Sequence, residues 1–138
     1  EKVKGLQPED IAAFADELHT VVCEQLGLSD PEQLQFYTAI GSIIDYGLGA
    51  DGFMELYFDN GETIRVTLDG TFNLYKVNEG KSGGKPEADV IFAWPEETAE
   101  ENSIQWNQLI QEAASMIADE FRRRAEDLVA KRPKSKSR

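Results

Sequence analysis

His19 and Cys23 stand four residues apart, a spacing that puts two side chains on one face of a helix. An imidazole and a thiol so placed are the parts of a metal site or of a histidine-activated thiolate. They are also the chain's single histidine and single cysteine, so no further residue of either type completes a zinc site. Cysteine–histidine nucleophiles moreover come together from distant segments rather than from one helical turn. The pair is therefore expected to be a small buried thiol beside a boundary histidine.

Glu96, Glu97, Glu100 and Glu101 form the densest carboxylate group. Four acids could hold a hard cation, but the alternating-oxygen spacing of a calcium loop is missing, and acids at this density suit the positive end of a helix. A pair of carboxylates working as acid and base needs a fixed separation across a cleft, which spacing in sequence does not supply. Gly47, Gly49 and Gly52 follow a predicted helix and precede a predicted strand, the reverse of a phosphate-binding loop. With one histidine, no serine–histidine–aspartate set assembles either. The chain is expected to be no enzyme, with no metal and no cofactor.

The charge is more informative by region than in total. Of 138 residues, 26 are acidic and 14 basic, a net charge of −12. Residues 122–138 hold eight bases (Arg122, Arg123, Arg124, Lys131, Arg132, Lys134, Lys136 and Arg138) against Glu126 and Asp127, a net +6. Residues 1–121 carry 24 acids and six bases, a net −18. That body repels phosphate backbones and attracts cationic partners. Nucleic acid is expected to touch only the tail, where no aromatic interleaves the bases to make a stacking platform. No apolar run nears the ~20 residues of a membrane span and no secretory leader is read, so a cytoplasmic protein is expected.

The elements that must position these residues follow from periodicity. Ile11, Phe14, Ala15, Leu18, Val22 and Leu26 draw an apolar stripe, with Pro8 suited to a first helical turn and Gly27 to a stop. Asp30, Pro31 and Gln33 then predict a second helix whose stripe is Leu34, Tyr37, Ile40 and Ile44, ended by Gly47 and Gly49. The period next changes to two: Met54, Leu56 and Phe58; Ile64 and Val66; Phe72 and Leu74; Val90, Phe92 and Trp94. Three-residue turns at Asp59-Asn60-Gly61 and Leu68-Asp69-Gly70 keep the apolar faces in register, pairing Leu56 with Ile64, Met54 with Val66, Val66 with Phe72 and Ile64 with Leu74. Residues 78–88 read as a long loop. Thr98 and Glu101 predict a capping box, with Asn102-Ser103 as the alternative helix start. A long stripe continues through Trp106, Leu109, Ile110, Ala113, Ile117, Phe121, Ala125 and Leu128.

The expected fold is thus α+β in the order ααββββα: a helical hairpin, a four-stranded antiparallel meander and a long C-terminal helix. It forms one domain over residues 1–130, followed by a disordered basic tail over 131–138. The leading functional expectation is a non-catalytic acidic module that masks a basic protein surface, as an inhibitor, immunity protein, adaptor or chaperone does. Its contact residues would be Phe53, Glu55, Tyr57 and Tyr75 on the mixed sheet face, with Glu96, Glu97, Glu100 and Glu101. One alternative is a homodimer through a seam of Ile117, Phe121, Ala125 and Leu128 on the overlong last helix. Another is a carboxylate enzyme working in a cleft between the hairpin and the sheet.

Overall fold

The computed structural model describes residues 7–38, 51–71 and 88–131. The second half of the expected second helix (39–50), the expected strand with Phe72 and Leu74, Tyr75, most of the 78–88 loop and the tail from 132 lie outside the described residues. Helix α1 spans Pro8–Leu26, with Pro8 opening it and Asp10 Oδ2 accepting from the Gln7 N–H at 2.9 Å. Gly27 ends it at φ 71°. There the Gly27 and Leu28 amides donate back to the Glu24 and Cys23 carbonyls, a close that needs the left-handed backbone glycine supplies. Ile11, Phe14, Ala15, Leu18 and Val22 are buried, as the stripe requires.

The second helix is the first correction. Asp30 and Pro31 do start a turn, and Asp30 Oδ1 accepts from the Glu32 N–H at 3.0 Å, but it is a single 3-10 turn, Pro31–Gln33. Strand β1, Leu34–Thr38, comes directly after it. Leu34 and Tyr37 fit a helical stripe, whereas Leu34 and Phe36 against Gln35 and Tyr37 fit alternation; a run this short supports both patterns. Aromatic residues and threonine favour the pleated state, and β1 pairs antiparallel along β2 with Leu34 fully buried.

Strands β2 (Asp51–Tyr57) and β3 (Thr63–Thr71) form the expected hairpin. Gly61 has φ 94°, Leu56 pairs with Ile64 and Met54 with Val66. The turn expected at Leu68-Asp69-Gly70 does not form. Strand β3 continues through it to Thr71, and β4 (Val90–Ala93) pairs with it in parallel, Leu68 opposite Val90 and Gly70 opposite Phe92. The sheet, in order β1-β2-β3-β4, is therefore mixed rather than a pure antiparallel meander, and the α+β class holds. Asp69-Gly70 carries a glycine for another reason: a Cβ on Gly70 would lie 2.5 Å from the Trp94 indole.

Helix α2 covers Ser103–Lys131, about 43 Å at 1.5 Å per residue. It reaches one residue into the stretch expected to be tail. Thr98 and Glu101 bond reciprocally, their side chains accepting from each other's amides, but this box closes a turn. The helix proper starts after Asn102, whose Oδ1 accepts from the Gln105 N–H. Trp106 Nε1 donates to Glu17 near the start of α2 and Arg122 donates to the Gln25 carbonyl further along, so α1 and α2 run in the same direction. Both pack on the sheet face that carries Leu34, Met54, Leu56, Ile64, Val66, Val90 and Phe92.

The far end of α2 is tied down as well. Arg124 Nη2 pairs with Asp89 at 2.7 Å and its Nη1 donates to the Arg65 carbonyl. Asp89 and Thr67 exchange backbone-to-side-chain bonds at 2.8 and 2.9 Å, which clips the start of the parallel ladder. Burial pushes the Asp89 carboxyl up, but the Thr67 bonds and the Arg124 charge outweigh it and hold the group below its ordinary value.

The Gly70 contact yields a stability test. Gly70→Ala forces a methyl against an indole that packs on Phe14 and Phe92, so urea unfolding should register a loss of about 1–3 kcal/mol. An unchanged midpoint would show that Trp94 does not cover this glycine.

Candidate functional site

The face of the sheet opposite the helices holds the residues with the most chemistry. Alternation along β2 puts Phe53, Glu55 and Tyr57 there while Met54 and Leu56 face the core. Register then sets their neighbours: Tyr37 opposite Phe53 and Gln35 opposite Glu55 on one side, Arg65 opposite Glu55 on the other. Glu55 is the hub. Arg65 Nε and Nη2 both reach its Oε2, at 2.9 and 2.8 Å, and the Tyr57 hydroxyl donates to its Oε1. Tyr57 has only one proton and gives it to Glu55, so Tyr37 must be the donor across the 3.0 Å between the two hydroxyls. The chain of bonds runs Tyr37 to Tyr57 to Glu55, met from the other side by Arg65. The Arg65 guanidinium also sits over the Phe53 ring, 4.1 Å from its centroid, and the Tyr37 and Phe53 rings lie 5.0 Å apart.

These bonds set the acidities. The Tyr57 hydrogen bond, then the Arg65 bond and charge, hold the Glu55 carboxyl below the usual carboxylate range. The same bond, donated to the Glu55 carboxylate, pushes the Tyr57 phenol well above the usual tyrosine range. Glu55, with its value lowered, stabilises the folded chain above the ordinary carboxylate pKa of about 4.3, and that contribution is lost as pH falls through the folded value. Tyr57, with its value raised, contributes fully below about pH 10 and loses the contribution only as pH rises through its own folded value. The network is intact between those limits.

The expected contact residues do not form one group. Phe53, Glu55 and Tyr57 stand together, and Tyr75 lies outside the described residues. Glu96, Glu97, Glu100 and Glu101 belong to the turn leading into α2. The side-chain bonds of Glu97 and Glu101 are local: Glu97 accepts from Asn102 Nδ2 at 3.1 Å and Glu101 closes the Thr98 turn ahead of α2. Tyr37 and Gln35 were missed because residues 34–38 read as helix; the two-residue alternation of β1 was the available signal. Of the expected dimer seam, Ile117 and Phe121 are fully buried inside this chain, and Ala125 and Leu128 pack half-buried against the same core. Ile117 and Phe121 thus serve this chain's own core, while Ala125 and Leu128 keep part of their surface open.

His19 and Cys23 do share a face, Nε2 and Sγ 3.8 Å apart. The same Nε2 lies 2.6 Å from the Leu34 carbonyl, which can only accept, so this nitrogen carries the proton. A protonated nitrogen cannot draw the proton from the thiol. Burial, and secondarily the Glu24 charge, push the Cys23 thiol up rather than toward thiolate. Through the Leu34 bond His19 ties α1 to β1. Among the described residues, no three histidine, cysteine, aspartate or glutamate side chains stand together so as to hold a metal ion, and no helix is long and apolar enough to cross a membrane.

No protein family, curated protein or solved structure matches this chain.

An alkaline titration followed by NMR at the tyrosine rings tests the network. Tyr57 should ionise only well above the usual tyrosine range, and Glu55→Gln should bring its midpoint down toward about 10. A Tyr57 midpoint that the substitution leaves unmoved would remove the bond to Glu55 as the cause.

Proposed function

We propose that this chain is a non-catalytic, acidic protein-binding module that covers a basic surface on a partner protein. The observation that carries the reading is the outer sheet face: three aromatic rings, Tyr37, Phe53 and Tyr57, surround a carboxylate with its charge kept on. A solvated sheet face is commonly polar, whereas tyrosine and other aromatic rings are enriched at protein interfaces. The net −18 over residues 1–121 supplies the long-range attraction that brings a cationic partner to it. His19 Nε2 bonded to the Leu34 carbonyl and Glu97 and Glu101 bonded within the turn ahead of α2 are consistent with a binding rather than a catalytic reading. A reducing compartment such as the cytoplasm suits a chain whose single cysteine is buried and free.

Affinity capture with this chain as bait, followed by kinetics on the captured protein, is the test. The partner should be basic. Its association rate should fall about tenfold or more as ionic strength rises from about 0.01 to about 0.15 M, over which the Debye length shrinks from about 30 to about 8 Å. A rate indifferent to salt would contradict electrostatic recruitment.

A further inference from the structure

Glu55 already holds a guanidinium. Arg65 places two of its nitrogens on one carboxylate oxygen and its central carbon over the Phe53 ring. An aromatic face beside a carboxylate recognises guanidinium better than ammonium, because a planar, delocalised cation stacks and presents its donors as a fork. Three observations make the arrangement more than an internal brace. The Arg65 side chain is 56% exposed and that of Glu55 only 15%, so the cation is the solvent-facing, exchangeable member of the pair. Tyr37, 43% exposed and 5.0 Å from Phe53, extends the aromatic surface. Tyr57 fixes the other carboxylate oxygen, so Glu55 keeps its orientation when its cation changes.

We propose that the outer sheet face is an arginine-recognition site whose place is kept by the chain's own Arg65. An arginine from a basic partner segment stacks on Phe53 and Tyr37, takes the bond to Glu55 and displaces Arg65 into solvent. The inference rests on the reading of this chain as an acidic protein-binding module and names the partner chemistry that its sheet face selects. The excess of negative charge over residues 1–121 matches a cationic occupant and opposes an anionic one.

The full chain is titrated with two peptides that differ only in carrying arginine or lysine at their basic positions, observed by NMR at the Arg65 Nε–H and the Tyr37 and Phe53 rings. The arginine peptide should bind more tightly, move both rings and release the Arg65 Nε–H signal. Arg65→Ala should raise its affinity about fivefold, the ratio that corresponds to a surface ion pair of about 1 kcal/mol. Arg65→Met, which keeps the aliphatic stem, should do the same if the alanine variant disturbs the backbone spectrum. Glu55→Gln should erase the preference for arginine. Equal, salt-sensitive binding of both peptides overturns the arginine site but leaves the acidic module standing, and binding of neither overturns both. Weaker arginine binding in both Arg65 variants also overturns the site, since Arg65 would then be part of the contact.

Discussion

Phe14 is where the structure is decided. It is fully buried on α1, and its ring meets Phe92 of β4 at 6.2 Å, Trp94 at 5.4 Å and Trp106 of α2 at 5.2 Å. Edge-on contacts among large rings combine a large buried area with a directional preference, so the cluster fixes orientation as well as proximity. Each helix must approach the sheet from the same side for these four rings to touch. Trp94 reaches the cluster by crossing over Gly70, which is why the strand opposite can carry no side chain there.

Burial on one side governs what remains on the other. Two helices give enough apolar stripe to seal one sheet face, and the pleat then delivers every second residue of β1, β2 and β3 to the opposite face. Tyr37, Phe53, Glu55, Tyr57 and Arg65 become neighbours by register alone, although they span 29 positions of sequence. Their hydrogen bonds polarise one another in one direction, toward Glu55. The make-up of the outer face is a by-product of the core's register, and a shift of one residue in β2 would put Met54 and Leu56 in water instead.

Much of this was legible in the residues. The α1 stripe, its glycine stop, the Gly61 turn and the pairing of Met54 with Val66 come from periods of 3.6 and 2 and from turn chemistry. Two readings failed for separate physical reasons. Asp30-Pro31 is a sound helix start, but the conformation of residues 34–38 is decided by partners: Leu34 and Phe36 gain a ladder and a core face from β2, which no local signal announces. Asp69-Gly70 is a sound turn signal, yet its glycine answers to an indole 24 positions away. At the site, β2 supplied Phe53, Glu55 and Tyr57 from alternation alone. Tyr37 was lost with the misread strand, and the assignment of Arg65 to Glu55 needed the register.

The parallel pairing of β3 with β4 has a bearing on how the chain emerges from the ribosome. Leu68 waits 22 positions for Val90, and the Met54–Val66 surface waits still longer for Ile117 and Phe121. At translation speeds of roughly 5–20 residues per second, about 50 residues separate the end of β3 from Phe121, so for several seconds the nascent sheet lacks the cover that α2 later gives it. A strongly negative nascent chain repels its neighbours on the same polysome through that interval. The acidity of the chain thus shields the unfinished protein from its siblings.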